Sequence, residues 1–298
     1  MSFSIIIPLY NRPEEVNELL LSLCEQTMKE FEVIIVEDGS TRKSEDVVEK
    51  YHDRLDITYF LKDNSGPGLS RNAGAARAKN SYLIFFDSDC IIPPHYMETV
   101  SRSLSTNYVD AFGGPDAALP SFTTIQKAIN YSMTSFFTTG GIRGKKQSMD
   151  KFHPRSFNLG VSREAFNVIG GYGTMRFGED IDFSLRLLKA GFSTALIPEA
   201  FVYHKRRSTF KQFFKQVHNS GIARINLHLA HPGSLKMVHA LPAMFVTGMA
   251  MIFLLSLRYP IFLIIPFLYS LAIFADAMRL HRSAKVAAYS IVAAWVQT

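Results

Sequence analysis

The chain has 298 residues, room for one large domain or two smaller ones, and it is 47% hydrophobic with only 19% charged residues and 24 Phe. Its net charge of +6 is not evenly spread: residues 200–275 hold eight basic side chains and no acid, leaving 24 basic residues elsewhere against all 26 acidic ones. A basic stretch that leads into the most apolar part of the chain points to an anionic membrane as partner and away from nucleic acid. Cys24 and Cys90 are far apart in the sequence, which excludes a disulfide framework and reads as two buried thiols in a reducing compartment.

The opening MSFSIIIPLYNRPEE has too short an apolar run, and acids too soon, for a secretory leader. The N-terminal region is therefore expected in the cytoplasm. Residues 3–9 (FSIIIPL) read as a strand, and Pro13, Glu14 and Glu15 then open a helix with Val16, Leu19, Leu20 and Leu23 on its apolar face. A second strand, 31–36 (FEVIIV), ends in EDGS; a helix is expected near 43–51 and a third strand at 56–61. The loop KDNSGPG precedes a small-residue helix over 69–79, which carries Arg71, Arg77 and Lys79, and a fourth strand, 82–86 (YLIFF), runs into DSD. Strands alternating with helices predict a mainly parallel sheet flanked by helices, with ligands outside the carboxyl ends of the strands. The polar strand ends YNR, EDGS and DSD should share that rim.

Residues 108–175 are less regular, with a strand broken at GGP (113–115), a strand candidate at 157–163 and a turn at 168–173. Residues 177–192 read as a helix ended by Gly191. Phe210, Phe213, Phe214 and Val217, interleaved with Lys211 and Lys215, predict a basic amphipathic helix, lying on a membrane surface or, on the competing reading, packing into a core. Two charge-free runs of about 17 residues, 241–257 and 259–275, separated by Arg258, are at the lower end of spanning length, as a tight hairpin or as re-entrant segments. A short apolar stretch, 286–296, reads as a third segment cut short.

Two sets of acids carry candidate chemistry. Asp87 and Asp89, one residue apart at a strand end, suit a divalent cation such as Mg²⁺ or Mn²⁺; the competing reading is a solvated turn that caps a helix near Pro93–Pro94. Glu179, Asp180 and Asp182 open a helix, either complementing its dipole or supplying a general base. Glu179 and Asp180 diverge, so one of them can point into a given site. Arg71, beside the GPG loop, is a candidate phosphate contact, whereas Arg77 and Lys79 read as solvated charges. Neither common phosphate-loop spacing is present.

The segments IIIPLYNR (5–12), VIIVEDGST (33–41), DNSGPGLSRNAGAARAKNSYLIFFDSD (63–89), FNLGVSREAFNVIGGY (157–172) and FGEDIDFSLRLLKAGF (177–192) occur in that order. Together they resemble family 2 glycosyltransferases of the GT-A fold, a Rossmann-like sheet, over about residues 3–205. The resemblance implies inverting transfer of a sugar from a nucleoside-diphosphate sugar to a hydroxyl acceptor. It places Pro8, Tyr10 and Asn11 on the nucleoside. Glu37 and Asp38 match the acidic pair after the second strand, with Glu37 departing from the usual Asp. Arg71, Asp87, Ser88 and Arg186 join the nucleotide-sugar contacts. Asp89 is the main metal ligand, with Asp87 and His204, and Asp180, beside Glu179, is the catalytic base. The expected organisation is a catalytic domain at 1–205, an interfacial region at 206–236 and membrane helices at 237–298. A cytoplasmic site at a membrane favours a lipid-linked saccharide or surface-polysaccharide precursor as acceptor. A nucleotidyltransferase of related fold and an inactive membrane scaffold are the rival readings.

Overall fold

The computed structural model describes residues 1–139 and 152–298. In chain order the elements are β1 (Phe3–Leu9), α1 (Pro13–Cys24), β2 (Phe31–Asp38), α2 (Glu45–Val48), β3 (Ile57–Lys62), α3 (Pro67–Ala75), β4 (Tyr82–Phe86), β5 (Cys90–Ile91), α4 (Tyr96–Thr106), β6 (Ala111–Gly113) and β7 (Asp116–Ala117). They continue with α5 (Thr124–Thr134), α6 (Phe136–Thr139), β8 (Asn158–Ser162), α7 (Arg163–Val168), α8 (Glu179–Lys189), β9 (Thr194–Leu196), β10 (Val202–His204), α9 (Phe210–Ala230), α10 (Leu241–Ser256), α11 (Ile264–His281) and α12 (Ala284–Gln297). Two compact units result, one from residues 1–119 and 152–204 and one from 120–139 and 205–298.

The first unit is built on a seven-stranded sheet in the order β3-β2-β1-β4-β8-β6-β9. All pairs are parallel except those of β8, which runs antiparallel to β4 and β6. The central strands are apolar without interruption because both faces are covered. Ile5, Ile7, Val33 and Ile35 pack with Leu19, Leu23 and Val100 on one face. Ile6, Ile34, Val36 and Phe85 pack with Ala75, Phe166 and Phe183 on the other. Each such side chain contributes about 1.5–3 kcal/mol of burial.

The order 3-2-1-4 reverses between β1 and β4, which creates a crevice at the carboxyl ends of those two strands. Arg12 follows β1 there, and Asp87–Asp89 follow β4. A second sheet, β5-β10-β7, is made of strands of two and three residues. Its register sets His204 opposite Cys90.

Local differences from the sequence-based expectation have physical reasons. Pro67 starts α3 earlier than expected, and the helix stops at Ala75. There the Arg163 guanidinium donates to the carbonyls of Ala75, Ala78 and Asn80, taking up chain-end acceptors that a longer helix would use internally. The helix expected near 43–51 is one turn, α2, followed by a 3₁₀ turn at Glu49–Tyr51. The irregular stretch 108–175 falls partly outside the described residues.

In the second unit, Ala128, Ile129 and Met133 of α5 pack with Phe213 of α9 and Ala293 of α12, and Phe210 and Val217 join them. Three of the four residues expected to face lipid are thus covered by protein, and Phe214 alone is exposed. The small residues of α12 let the helices approach closely enough to take up that face. Tyr131 packs with Ile273, Ala277, Ala287 and Ala294. The two charge-poor helical segments are longer than the apolar runs that define them, at 20 residues for Met237–Ser256 and 22 for Pro260–His281. Both are long and apolar enough to cross a membrane, and little of either is buried within the protein.

Candidate active site at the carboxyl rim of the sheet

Asp89 is buried in the turn between β4 and β5, at the crevice. Its Oδ2 accepts from Arg12 Nη1 at 2.5 Å, and its Oδ1 lies 3.2 Å from His204 Nε2. His204 is stacked on Phe157 with ring centroids 5.0 Å apart. Ligand atoms of Asp89, Cys90 and His204 all fall within 4.8 Å of one another. Burial pushes the Cys90 thiol well above its ordinary pKa, so it stays protonated and is a poor ligand. The carboxylate and the imidazole remain, and that pair suits a divalent cation of the manganese type.

Asp87 takes a different partner. Its Oδ1 accepts from Arg71 Nη2 at 2.6 Å, while Arg71 Nη1 donates to Glu179 Oε1 at 3.2 Å. Arg71 is only 2% exposed and lies 5.2 Å from the Tyr172 ring centroid. Burial disfavours its charge, and Asp87 and Glu179 outweigh burial. The sequence placed Arg71 on the donor's phosphates. In the structure it is buried and bridges Asp87, after β4, to Glu179, the first residue of α8.

The first turn of α8 follows Gly178, whose φ of 82° is left-handed and explains why a glycine precedes Glu179. Glu179 points to Arg71, and Asp180 points elsewhere: its Oδ2 accepts from Arg155 Nε at 2.5 Å. Burial raises the pKa of Glu179. Burial also works against ionised Asp180, but the Arg155 guanidinium outweighs it and holds this carboxyl below the usual range. Two adjacent acids are thereby given opposite tendencies. Arg186, expected near the donor, donates to Asp182 at 2.8 and 3.0 Å and to the Ile169 carbonyl at 2.6 Å. It braces α8 from a different side.

The nucleoside candidates divide in the same way. Glu37 is fully buried: Ser40 Oγ donates to one carboxylate oxygen, and the Ser44 N–H and Tyr59 O–H donate to the other. These bonds fasten the loop after β2. Asp38 accepts from Lys62 Nζ at 2.5 Å and from the N–H groups of Ser65 and Gly66, both at 2.9 Å, holding the GPG loop. Asn11 Oδ1 accepts from the N–H groups of Thr41 and Arg42, pinning the loops after β1 and β2 together. Tyr10 is exposed at the end of β1, Pro8 is partly buried within that strand and Ser88 is buried between the two acids. Sequence reasoning missed Arg12 and Arg155. Arg12 stands in the quoted YNR, but nothing local marks a partner 77 residues away.

A mainly parallel α/β sheet with flanking helices and a switch crevice is the architecture shared with solved glycosyltransferases of the GT-A fold. The model of glycosyl transferase family 2 matches residues 4–170. An uncharacterized glycosyltransferase of Haemophilus influenzae is 32% identical over 218 residues, covering 69% of this chain and 70% of that protein. The Staphylococcus aureus poly(ribitol-phosphate) beta-N-acetylglucosaminyltransferase TarS is 36% identical over 114 residues, 37% of this chain but only 20% of TarS. The TarS 1-349 structure in complex with UDP-GlcNAc has a TM-score of 0.55 at 20% identity, over 76% of this chain and 67% of that one. A mannosyltransferase, PcManGT from Pyrobaculum calidifontis, in complex with GDP-Man and Mn²⁺, has a TM-score of 0.57 at 17% identity, over 98% of this chain and 85% of that one. The two solved structures speak for the fold. The chain belongs to glycosyl transferase family 2 and is a glycosyltransferase, which removes the nucleotidyltransferase reading.

Proposed function

We propose that the protein transfers a sugar, with inversion, from a nucleoside-diphosphate sugar to a hydroxyl of a saccharide or lipid-linked acceptor at the cytoplasmic face of a membrane. One observation carries this reading: Asp89 and His204 meet at 3.2 Å in the switch crevice, at the end of the strand that also bears Asp87. The complexes of TarS with UDP-GlcNAc and of PcManGT with GDP-Man and Mn²⁺ support a nucleotide-sugar donor and a divalent cation.

Asp89, His204 and Asp87 are the residues that would hold Mn²⁺ or Mg²⁺, which supplies charge compensation to the departing diphosphate. Asp180 accepts the proton of the attacking hydroxyl. Because Arg155 keeps its carboxyl ionised, it is a base at neutral pH. Glu179, locked on Arg71, fixes the first turn of α8 and leaves the proton to its neighbour. Tyr10, Pro8 and Ser88 lie on the nucleotide side, with Asn11, Glu37 and Asp38 shaping the loops around it. One displacement suffices for inversion, so no second nucleophile is required. Residues 1–205 form the catalytic part, 206–236 bring basic charge to anionic lipid, and 237–298 anchor the chain.

The test is release of nucleoside diphosphate from a panel of nucleotide sugars, with and without Mn²⁺ or Mg²⁺. Asp89→Asn should abolish metal-dependent release. Asp180→Asn should lower turnover by about 10²–10⁴-fold with little change in donor binding. Wild-type turnover in both variants would remove these assignments.

A further inference from the structure

Arg12 has no part in the chemistry above, yet its guanidinium sits on the carboxylate that chemistry needs most. We propose that Arg12 is an exchangeable counter-ion: it neutralises Asp89 while the crevice is empty and moves to the donor's diphosphate when a cation takes Asp89. Cation and nucleotide then bind as a coupled pair. The inference rests on the proposed role of Asp89 as a cation ligand.

Three observations lead there. Arg12 Nη1 lies 2.5 Å from Asp89 Oδ2, while Oδ1 of the same carboxylate faces His204. A guanidinium on one oxygen and a divalent ion on the same group are like charges a few ångströms apart, so the two compete. Second, the arginines of the site differ in freedom. The Arg71 side chain is 2% exposed and the Arg12 side chain 31%. Arg71 is enclosed, whereas the Arg12 side chain is partly exposed to solvent. Third, the backbone beneath Arg12 is held. Asn11 is in the left-handed region at φ 54°, its N–H donates to Ser40 Oγ, its side chain accepts from Thr41 and Arg42, and Pro13 begins α1 on the other side.

The side chain can therefore move while its root stays at the mouth of the crevice. A guanidinium released from a carboxylate keeps its planar set of donors, which matches the paired oxygens of a diphosphate. The arrangement penalises a cation that arrives alone and removes the penalty when the diphosphate accepts Arg12. By linkage, the cation must improve nucleotide affinity by the same factor as the nucleotide improves cation affinity.

The experiment uses the full chain in detergent. Binding of Mn²⁺ alone is followed by loss of the free-ion electron paramagnetic resonance signal. Binding of UDP or GDP, whichever the wild type takes, is followed by calorimetry with and without Mn²⁺. In the wild type, Mn²⁺ should tighten nucleotide binding about tenfold. In Arg12→Gln, Mn²⁺ alone should bind about tenfold tighter than to the wild type, nucleotide binding in Mn²⁺ should weaken, and the coupling should fall to what the cation's own attraction for the diphosphate supplies. Arg12→Lys, which keeps the charge without the fork, should lie between. Circular dichroism and the melting temperature report whether the variants stay folded. Arg12→Gln that binds Mn²⁺ no better than the wild type, or keeps the full coupling, overturns the proposal. Asp89→Asn separates the two levels: wild-type Mn²⁺ binding in that variant overturns the cation role of Asp89 itself, and the exchange with it.

Discussion

Asp180 holds its charge against its surroundings. It is buried, which favours the neutral acid, and Arg155 at 2.5 Å reverses that preference. The sign of a test follows. Removing the guanidinium leaves burial opposed only by Arg71 and the Ile181 N–H, so the carboxyl stays protonated to a higher pH, and an activity that needs the carboxylate fails earlier as pH falls. Arg155→Leu should therefore move the acid limb of the kcat/KM profile to higher pH, and Arg155→Lys should hold it near its wild-type position. An unmoved limb in Arg155→Leu would detach Asp180 from proton transfer. The acids themselves were legible, because DSD closes an apolar strand and GED opens an amphipathic helix. Their counter-ions were not. Arg12 and Arg155 pair across 77 and 25 residues, separations that only the assembled sheet closes. Arg71 was visible, but its burial against two acids was not, since those partners come from separate elements of the fold.

At the scale of elements, the long strands were readable because each is a continuous apolar run covered on both faces. β5, β7 and β10 were not, since strands of two or three residues carry no period. Yet β10 delivers His204, so the least legible element completes the candidate cation site. The position of α3 is set by a close approach. A Cβ on Gly74 would stand 2.5 Å from Ile6 Cγ2 and 3.1 Å from Val36 Cγ2, so this helix rests directly on β1 and β2. Gly74→Ala gains about 1 kcal/mol of helix propensity but overpacks this contact at about 1–3 kcal/mol. Because α3 also carries Arg71, lifting it loosens the Asp87–Arg71–Glu179 clamp. The melting temperature of the detergent-solubilised variant should fall by a few degrees, about 2–4 °C per kcal/mol, with turnover reduced alongside. An unchanged or higher melting temperature would mean that the sheet relaxes around the methyl group without strain.

For the whole molecule, the uneven charge and the apolar final quarter were plain in the sequence, but the composition of the second unit was not. Residues 120–139 join it through α5, whose start carries a reciprocal cap between Thr123 and Gln126, and their packing partners on α12 lie more than 140 residues away. What remains uncovered is the surface of α10 and α11. Met244, Val246, Met251, Leu254 and Leu257 are all more than half exposed, an apolar surface that water does not tolerate at this extent. At 1.5 Å per residue the 20-residue segment is about 30 Å long, the thickness of a bilayer's hydrocarbon core. The one acid of the second segment, Asp276, is paired with the Tyr131 hydroxyl at 3.0 Å and with Arg279 at 2.8 Å. Lys205, Arg206, Arg207, Lys211 and Lys215 precede the first segment. The full chain should therefore stay in the membrane pellet through washes with high salt and alkaline carbonate, and leave it only with detergent. Release by salt would mean attachment through the basic residues alone. Release by carbonate would mean that the two helices lie against the lipid, or against another copy of the chain, without spanning.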